Sequence, residues 1–164
     1  LRVVKAHNHT VNCICVAGDA MLTGSADFDI KVWTIKEGKV NKQQLDFDHI
    51  ACTERLVGQK CAVTALSFSS SDVVSGGDDG FIVVWNGGEI LQRFQAHPST
   101  VRCIQFDSGI VISGGVGGEI AIHNIVTGET ITTYRDHKKH ILALQFDNEK
   151  IISCDGQDII THMT

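Results

Sequence analysis

The chain has 164 residues, of which 43% are hydrophobic and 20% are charged, and its formal net charge is −5 at pH 7. This acidic balance argues against a general binder of nucleic acid or of anionic membranes, because the surface of either would be basic. No apolar run reaches the roughly 18 residues of a membrane-spanning helix, and a single proline without a low-complexity tract argues against disorder. We therefore expect a folded chain whose partner is neither nucleic acid nor a membrane.

Residues 7–33 form the first of four copies of one pattern, which recurs at 59–85, 97–123 and 137–163. The successive offsets are 52, 38 and 40 residues, and the four frames align without a gap. A histidine or a glutamine opens each frame, and a serine or a threonine follows sixteen residues later. Agreement of this kind across four copies predicts a repeat architecture.

Each copy contains three predicted β-strands, and the turn between the second and the third is clearest at Asp78-Asp79-Gly80. Asp-Gly between two β-rich runs favours a hairpin, because glycine accepts a positive φ without steric cost. A fourth strand precedes the histidine of copies three and four, at 89–95 and 130–135. The other predicted strands lie near 11–16, 20–24, 30–35, 63–68, 72–76, 81–85, 101–106, 110–114, 119–123, 141–146 and 150–153.

With four short strands per period of about 40 residues, the sequence resembles the WD40-repeat β-propellers. The resemblance covers essentially the whole chain, residues 1–164, and implies an all-β fold of about four blades with four antiparallel strands each. The family's Gly-His and Trp-Asp dipeptides are altered in every copy. Copy one, for example, has Ala6-His7 and Trp33-Thr34 in their places.

WD40 blades often carry a hydrogen-bonded His–Ser/Thr–Asp–Trp tetrad, which the resemblance assigns position by position. Copy one matches at all four positions and copy two has glutamine for histidine: His7, Thr23, Asp27, Trp33 and Gln59, Ser75, Asp79, Trp85. Copies three and four match only at the first two positions: His97, Ser113 and His137, Ser153. The remaining positions hold Gly117 and His123 in copy three, Gln157 and Met163 in copy four. We therefore expect the polar network to be lost in copies three and four, and these two blades to be softer.

The two ends of the sequence bear on how the blades close into a ring. Residues 1–5 predict a strand of the kind that precedes each histidine, and residue 164 follows a third strand. Three arrangements remain open: the remaining blades come from sequence that is not given, from self-association, or are not needed because four blades close a ring. If the chain is self-sufficient, residues 1–5 should pair with 158–163.

One segment breaks the period, because the first offset is 12 residues longer than the last. The excess lies within 34–58, at 36–39 or around 46–55. It is either a tolerated surface insertion or a loop on the propeller rim that contacts a partner. The charged contacts of such a loop would be Asp46, Asp48, Glu54 and Arg55.

Eight histidines and six cysteines invite a search for chemistry, and the search favours none. His7, His97 and His137 occupy the family's structural position, and Cys13 and Cys103 share a frame position with Ala65 and Ala143, as small packing residues of the first strand would. We therefore expect no catalytic residue, no metal and no cofactor. Unpatterned cysteines in a core suit a reducing compartment, the cytoplasm or also the nucleus.

A partner-binding face is implied by the family's geometry, which brings the histidine loops and the aspartate turns to one end of the ring. Arg102 is the best anchor there, because an arginine can form two parallel hydrogen bonds to a carboxylate or a phosphate. Equally, Arg102 could pair with a carboxylate of a neighbouring blade. The residues expected on this face are Thr10, Asn12, Thr64, Asp78, Thr100, Arg102, His140 and Leu142.

The sequence thus predicts a non-enzymatic scaffold that binds other proteins or peptides within a multiprotein complex. The alternative is the substrate-recognition module of a ubiquitin ligase of the F-box/WD40 type. It depends on the tracts CIQFD at 103–107 and ALQFD at 143–147, which look like repeats of that subgroup.

Overall fold

Four antiparallel β-sheets follow one another along the chain in the computed structural model, which describes residues 3–36, 49–69, 72–107 and 109–163. We call the sheets blades one to four. Blade one contains β1 (Val11–Ala17), β2 (Ala20–Ser25), β3 (Ile30–Lys36) and β4 (His49–Leu56). Blade two contains β5 (Val63–Ser69), β6 (Asp72–Gly77), β7 (Phe81–Asn86) and β8 (Glu89–Gln95). Blade three contains β9 (Val101–Asp107), β10 (Ile110–Gly115), β11 (Ile120–Asn124) and β12 (Thr130–Tyr134). Blade four contains β13 (Ala143–Phe146), β14 (Lys150–Cys154) and β15 (Ile159–Met163).

The turn between the second and third strands depends on glycine in blades two and three. Gly80 has a φ of +82° and Gly118 a φ of +85°, which L-residues with a side chain rarely adopt. A Cβ on Gly118 would also lie 2.7 Å from the carbonyl oxygen of His137, so the next histidine loop lies directly against the turn. Glycine here therefore allows both the backbone conformation and the close approach of the following loop.

The hydrophobic core consists of layers between blades. Alternate residues of each strand face one neighbouring blade or the other, because side chains of a β-strand alternate between its two faces. The layer between blades one and two joins Leu22 and Ile30 to Val63 and Trp85. The next layer joins Val74 to Val111, and the third joins Ile112 to Ile141 and Ile151 in the same manner. No core cluster among the described residues joins blade four to blade one.

The all-β fold is confirmed, and its strands correspond closely to the expected ones. The sheet of blade four contains three strands within the described residues, in agreement with the expectation that the given sequence stops after a third strand of this copy. The inner strand of this blade is shorter than expected: it begins at Ala143 rather than at residue 141. Residues 3–5 lie outside any strand, so the expected pairing of residues 1–5 with 158–163 is not seen for them, and residues 1–2 lie outside the described residues.

The long segment of the first copy contains a strand where a rim loop was one of the two expectations. Glu54 and Arg55 lie in β4, the outer strand of blade one, so they are not part of a loop. The Arg55 guanidinium pairs with the Asp29 carboxylate at 2.7 Å, within the same blade. Asp46 and Asp48 fall in 37–48, which is outside the described residues.

Candidate functional site

The candidate site is the end of the blades where the histidine loops meet the second strands, which we call the loop end. In blades one to three the residue before the turn donates its backbone N–H to a carbonyl of the loop. The three bonds are Ala26 N to Thr10 O at 2.9 Å, Asp78 N to Ala62 O at 3.1 Å and Val116 N to Thr100 O at 3.1 Å. These repeated bonds hold both loops of a blade at the same end.

A β-bulge interrupts the inner strand of the first three blades at the loop end. The register shifts between Val63 and Ala65 in blade two, which leaves Thr64 as the extra residue. Equivalent shifts leave Asn12 as the extra residue in blade one and Arg102 in blade three. A bulge bends its strand and redirects the side chain of the extra residue. The bulges therefore account for three of the polar positions expected on the partner-binding face: Asn12, Thr64 and Arg102.

Two of the bulge side chains join blades to each other. Asn12 Nδ2 donates to the carbonyl oxygen of Val63 at 2.9 Å, and Thr64 Oγ1 donates to that of Val101 at 2.6 Å. Thr100 Oγ1 lies 3.4 Å from the carbonyl oxygen of Asp78, and His140 Nδ1 contacts the carbonyl oxygen of Val116. Four of the eight expected face residues therefore connect neighbouring blades, and this limits their freedom to bind a partner.

The other four residues of the expected face are exposed: Thr10, Asp78, Arg102 and Leu142. Arg102 holds the bulge position of blade three, where blades one and two have the joining side chains. No ion pair among the described residues involves Arg102, so the alternative of an arginine paired with a neighbouring carboxylate is not what the structure shows.

A continuous hydrogen-bond network supports the loop end in blade one. The Trp33 indole N–H donates to Thr23 Oγ1 at 2.9 Å, and Thr23 Oγ1 lies 2.7 Å from His7 Nε2. His7 Nδ1 in turn lies 3.0 Å from the Asp27 carboxylate. Burial pushes the pKa of Asp27 upwards, but hydrogen bonds from the backbone N–H of Asn8 and other donors outweigh it and hold that pKa below its usual range.

Blade two has the tryptophan part of this network, but the carboxylate of its turn aspartate binds a different partner. The Trp85 indole N–H donates to Ser75 Oγ at 2.9 Å, and Ser75 Oγ lies 3.5 Å from Gln59 Oε1. Asp79 pairs instead with the Arg93 guanidinium at 2.9 Å, and Arg93 also lies over the Phe81 ring. An outer-strand arginine thus neutralises the turn aspartate where glutamine replaces histidine.

The expectation that blade three loses the carboxylate contact is wrong. His97 Nε2 lies 2.8 Å from Ser113 Oγ, and its Nδ1 lies 2.9 Å from Glu119 Oε1, so a glutamate two residues after Gly117 replaces the aspartate. A Cβ on Gly117 would fall 3.0 Å from the Glu119 carboxyl carbon, which shows how closely the longer side chain folds back. Burial lowers the pKa of His97 in spite of this carboxylate.

The tryptophan half of the network is absent from blade three. His123 occupies the tryptophan position, is buried, and has no hydrogen-bond partner at either ring nitrogen. Its ring centroid lies 5.0 Å from that of Phe94, an aromatic contact between blades two and three. Burial, together with the nearby His97, lowers the pKa of His123 to about 4, so the ring is neutral at pH 7.

In blade four, too, a carboxylate contacts the histidine from a position that the sequence frame did not assign to it. His137 Nε2 lies 2.8 Å from Ser153 Oγ, and its Nδ1 lies 3.3 Å from the Asp155 carboxylate. The latter contact is an ion-pair distance without good hydrogen-bond alignment. Hydrogen bonds from the backbone N–H groups of Asp158 and Gln157 lower the pKa of Asp155 to about 2. The sequence offered one signal for both substitutes: each acid lies two residues from the expected position.

Cys13, Cys61 and Cys103 have the character of packing residues, whereas Cys52 is exposed. All six thiols are free. Burial raises the pKa of Cys13, Cys61 and Cys103 to about 12. A thiol is a nucleophile or a metal ligand as its thiolate, so these three are poorly suited to either role. No group of three or more His, Cys, Asp or Glu among the described residues has the geometry to hold a metal ion.

Two apolar clefts open between blades at the end opposite the loop end. One, of about 300 Å³, lies between blades one and two, and Leu56, Phe68 and Trp85 line it. The other, of about 400 Å³, lies between blades three and four, and Ile112, Tyr134 and Phe146 line it. The space between blades two and three is filled at this level by Phe94, Phe106 and Ile125.

A comparison with protein-family models now identifies the family. The model described as "WD domain, G-beta repeat" matches residues 1–34, 50–86 and 88–124, more than half of the chain. The chain therefore belongs to the WD40 repeat family, and the resemblance expected from the sequence is confirmed. Proteins of this family generally act as protein-interaction scaffolds. The matched segments end before the frame 137–163.

Similar curated proteins carry WD repeats with different roles in their names. Mitochondrial division protein 1 of Coccidioides immitis (strain RS) is 27% identical over 96% of this chain and 26% of its own length. Eukaryotic translation initiation factor 3 subunit I of Eremothecium gossypii is 23% identical over 92% of this chain and 47% of its own length. Cell division control protein 4 of Candida albicans is 32% identical over 62% of this chain and 14% of its own length. The chain thus spans less than half the length of these relatives.

Two solved structures of designed β-propeller proteins share the fold. The computationally designed Ika4 protein superposes with a TM-score of 0.81 and 26% sequence identity, over 98% of this chain and 95% of Ika4. The designed Ika8 protein gives the same TM-score and identity over 48% of its own chain. Within the described residues no helix is long and apolar enough to cross a membrane.

Proposed function

We propose that this chain is a non-enzymatic scaffold that binds a peptide segment of another protein at the loop end, as part of a multiprotein complex. The observation that carries the proposal is Arg102: it is exposed, it holds a bulge position, and it has no ion pair within the described part of the chain. Charged side chains without a structural partner on a rigid scaffold favour recognition.

Arg102 and the two exposed side chains on either side of it define the chemistry of the segment. Asp78 of blade two, Arg102 of blade three and Leu142 of blade four follow one another along the loop end. The rigid guanidinium fork suits a carboxylate, which it binds through two parallel hydrogen bonds. A segment with an acidic residue opposite Arg102 and an apolar residue over Leu142 would satisfy both.

The chemical environment of the other polar groups supports a binding role. His7, His97 and His137 are each held between a hydroxyl and a carboxylate group in the blade framework. The pKa of three thiols is raised to about 12, which leaves them poor nucleophiles. Six free cysteines favour a reducing compartment, and we propose the cytoplasm or the nucleus.

A peptide array tests the proposal. Purified chain is applied to peptides in which acidic, neutral and apolar positions vary systematically, and dissociation constants of the best binders are measured. Arg102→Ala should weaken binding to acidic peptides by about tenfold or more, and Arg102→Lys should restore it only in part, because lysine lacks the bidentate fork. Arg135→Ala, at another exposed arginine, is the matched control. Equal losses for Arg102→Ala and Arg135→Ala would contradict the proposal.

A second candidate is substrate recognition for a ubiquitin ligase of the F-box/WD40 type. The inner strands of blades three and four favour it, because 103–107 and 143–147 resemble repeats of that subgroup. Adding phosphorylated peptides to the array separates the two candidates. A preference for phosphorylated over carboxylate peptides that is lost in Arg102→Ala would favour the ligase module.

A further inference from the structure

The cleft between blades one and two, which we call the first cleft, has apolar walls. Leu22 and Leu56 of blade one and Phe68 and Trp85 of blade two line its volume of about 300 Å³. It lies at the end opposite the loop end, so it is separate from the face around Arg102. The same space between blades two and three is filled, so an open cleft is not a general property of these interfaces.

A smaller side chain on the outer strand of blade one helps to open the first cleft. Leu56 of β4 pairs with Ile30 of β3. Phe94 of β8 pairs with Ile82 of β7, which is the equivalent place in blade two. Phe94 packs in the filled layer between blades two and three. Because a leucine side chain is smaller than a phenylalanine ring, part of the equivalent space stays open beside Leu56.

A glycine turn leaves the rest of the opening. Gly87 follows Asn86 at the end of β7, as Ile125 follows Asn124 at the end of β11. Ile125 is buried in the layer between blades two and three, whereas Gly87 has no side chain to fill the first cleft. A Cβ on Gly87 would meet no atom of the described residues within 4 Å. The two differences together explain why the first cleft is open where the next interface is closed.

Two carboxylates stand at the rim of the first cleft, one on each wall. Glu54 of β4 is exposed, and a Cβ on Gly88 would collide with its carboxylate, so Glu54 reaches across to the turn of blade two. Asp72 begins β6, is half-buried, and accepts a hydrogen bond from Asn86 Nδ2 at 2.6 Å. No ion pair among the described residues involves Glu54 or Asp72. The rim therefore carries two negative charges that no described cation of the chain pairs with.

We propose that the first cleft is a second peptide-binding site, which takes an apolar side chain of a partner protein with a lysine or an arginine beside it. Removal of the apolar side chain from water drives its entry, and the neighbouring cation lies against Glu54 and Asp72. The cleft volume is at the lower end of the roughly 300–1,000 Å³ of ligand pockets, so it suits one large side chain. The two carboxylates repel an acidic segment.

This inference goes beyond the peptide site proposed at the loop end and does not depend on it. The two sites lie at opposite ends of the blades, so their ligands do not compete. They also select opposite charges, because Arg102 suits a carboxylate whereas Glu54 and Asp72 suit a cation. One chain with both sites connects an acidic segment of one partner to a basic segment of another.

NMR titrations of the isotope-labelled full chain with three blocked peptides test the proposal. The central sequences of the peptides are Arg-Phe-Arg, Arg-Ala-Arg and Glu-Phe-Glu. The Arg-Phe-Arg peptide should bind about tenfold more tightly than either of the others, because only it supplies both the apolar group and the cation. It should shift the indole N–H signal of Trp85 and the amide signals of Gly87 and Gly88. The indole signal of Trp33 should stay in place, since that indole bonds to Thr23 within blade one.

Substitutions on the two parts of the site sharpen the test. Leu56→Phe introduces the larger ring of the filled interface and should weaken binding of the Arg-Phe-Arg peptide by about tenfold or more. Glu54→Gln keeps the size of the side chain but removes its charge, so it should weaken binding by about twofold to fivefold. Glu129→Gln, at an exposed glutamate of blade three, is the matched control and should leave binding unchanged. Arg102→Ala should also leave it unchanged, which separates a failure here from a failure at the loop end.

Three results would overturn the proposal. The Arg-Phe-Arg peptide could fail to bind, or bind no more tightly than the other two peptides. The shifted signals could lie away from Trp85 and Gly87. Leu56→Phe could retain the β-sheet circular dichroism spectrum and bind as tightly as the unmodified chain. If Leu56→Phe did not fold, equal affinities of Glu54→Gln and Glu129→Gln would decide against the site.

Discussion

Blades one and three hold the histidine of the loop end in hydrogen bonds to different residues. In blade one a single network runs from Trp33 through Thr23 and His7 to Asp27. In blade three the histidine end is intact because Glu119 replaces the aspartate, whereas the other end is lost because His123 replaces the tryptophan. A carboxylate can come from any position that reaches the histidine, and here both Asp and Glu do so. The indole has no such substitute in blade three, because neither ring nitrogen of His123 has a hydrogen-bond partner.

The consequence is that the two halves of the network should differ in how well they tolerate sequence change. The histidine–carboxylate half is expected to be equally strong in both blades. The aromatic half contributes a hydrogen bond and a large apolar surface in blade one. In blade three it is a buried ring without a hydrogen-bond partner. The following predictions test this difference, from the largest expected effect to the smallest.

Removal of the tryptophan should have the largest effect. Trp33→Ala should lower the free energy of unfolding by about 3–5 kcal/mol, because it removes a buried aromatic ring and the donor to Thr23. Met163→Ala, at the position that the sequence frame assigns to the tryptophan in blade four, should cost less than about 0.5 kcal/mol, since Met163 is 73% exposed. In the structure His162 holds that place, because it pairs with Ile151 as Trp33 pairs with Met21. Urea denaturation of both variants measures the difference. Midpoints in the opposite order would contradict the network assigned to blade one.

Removal of the substitute carboxylate should have an intermediate effect. Glu119→Ala should cost about 1–3 kcal/mol, because it leaves the buried His97 N–H without an acceptor. Asp27→Ala should cost a similar amount in blade one. Glu129→Ala, at an exposed glutamate of blade three, is the control and should cost less than about 0.5 kcal/mol. If Glu119→Ala matched this control, Glu119 would not be equivalent to Asp27.

Replacement of His123 should have the smallest effect and should depend on pH. The pKa of His123 is about 4 in the folded chain and 6.5 ordinarily, so the unfolded chain binds more protons between these values. Stability should therefore fall as pH is lowered from 6.5 towards 4. His123→Phe should reduce this slope and stabilise the chain by about 1 kcal/mol at pH 7, because it removes two unpaired buried nitrogens.

Thermal unfolding at pH 7 and pH 5 measures both effects of this change. His97 remains in each protein, and burial lowers its pKa as well, so part of the slope should persist in the variant. An unchanged difference between the two pH values would show that His123 is not the group that titrates.

Much of the fold could be predicted because its signals are local. Alternation of apolar residues gives the strands, and Asp-Gly gives the turn at Asp79-Gly80, where Gly80 does adopt a positive φ. The order of blades follows from the repeat period. Part of the partner-binding face could also be predicted from local sequence, because Arg102 is a charged residue between apolar neighbours.

The sequence by itself determined the family, the strands and most of the frame, since each depends on residues that are near one another in the chain. The frame is one residue out in the third strand of copy four, where His162 rather than Met163 pairs with Ile151. Only the tertiary structure decided which side chains act together across longer distances. It showed that Glu119 and Asp155 reach the histidines, that Asn12 and Thr64 join blades, and that Arg102 does not. It also showed why Gly24, Gly76 and Gly114 are glycines, because a Cβ at each would meet a side chain of the next blade.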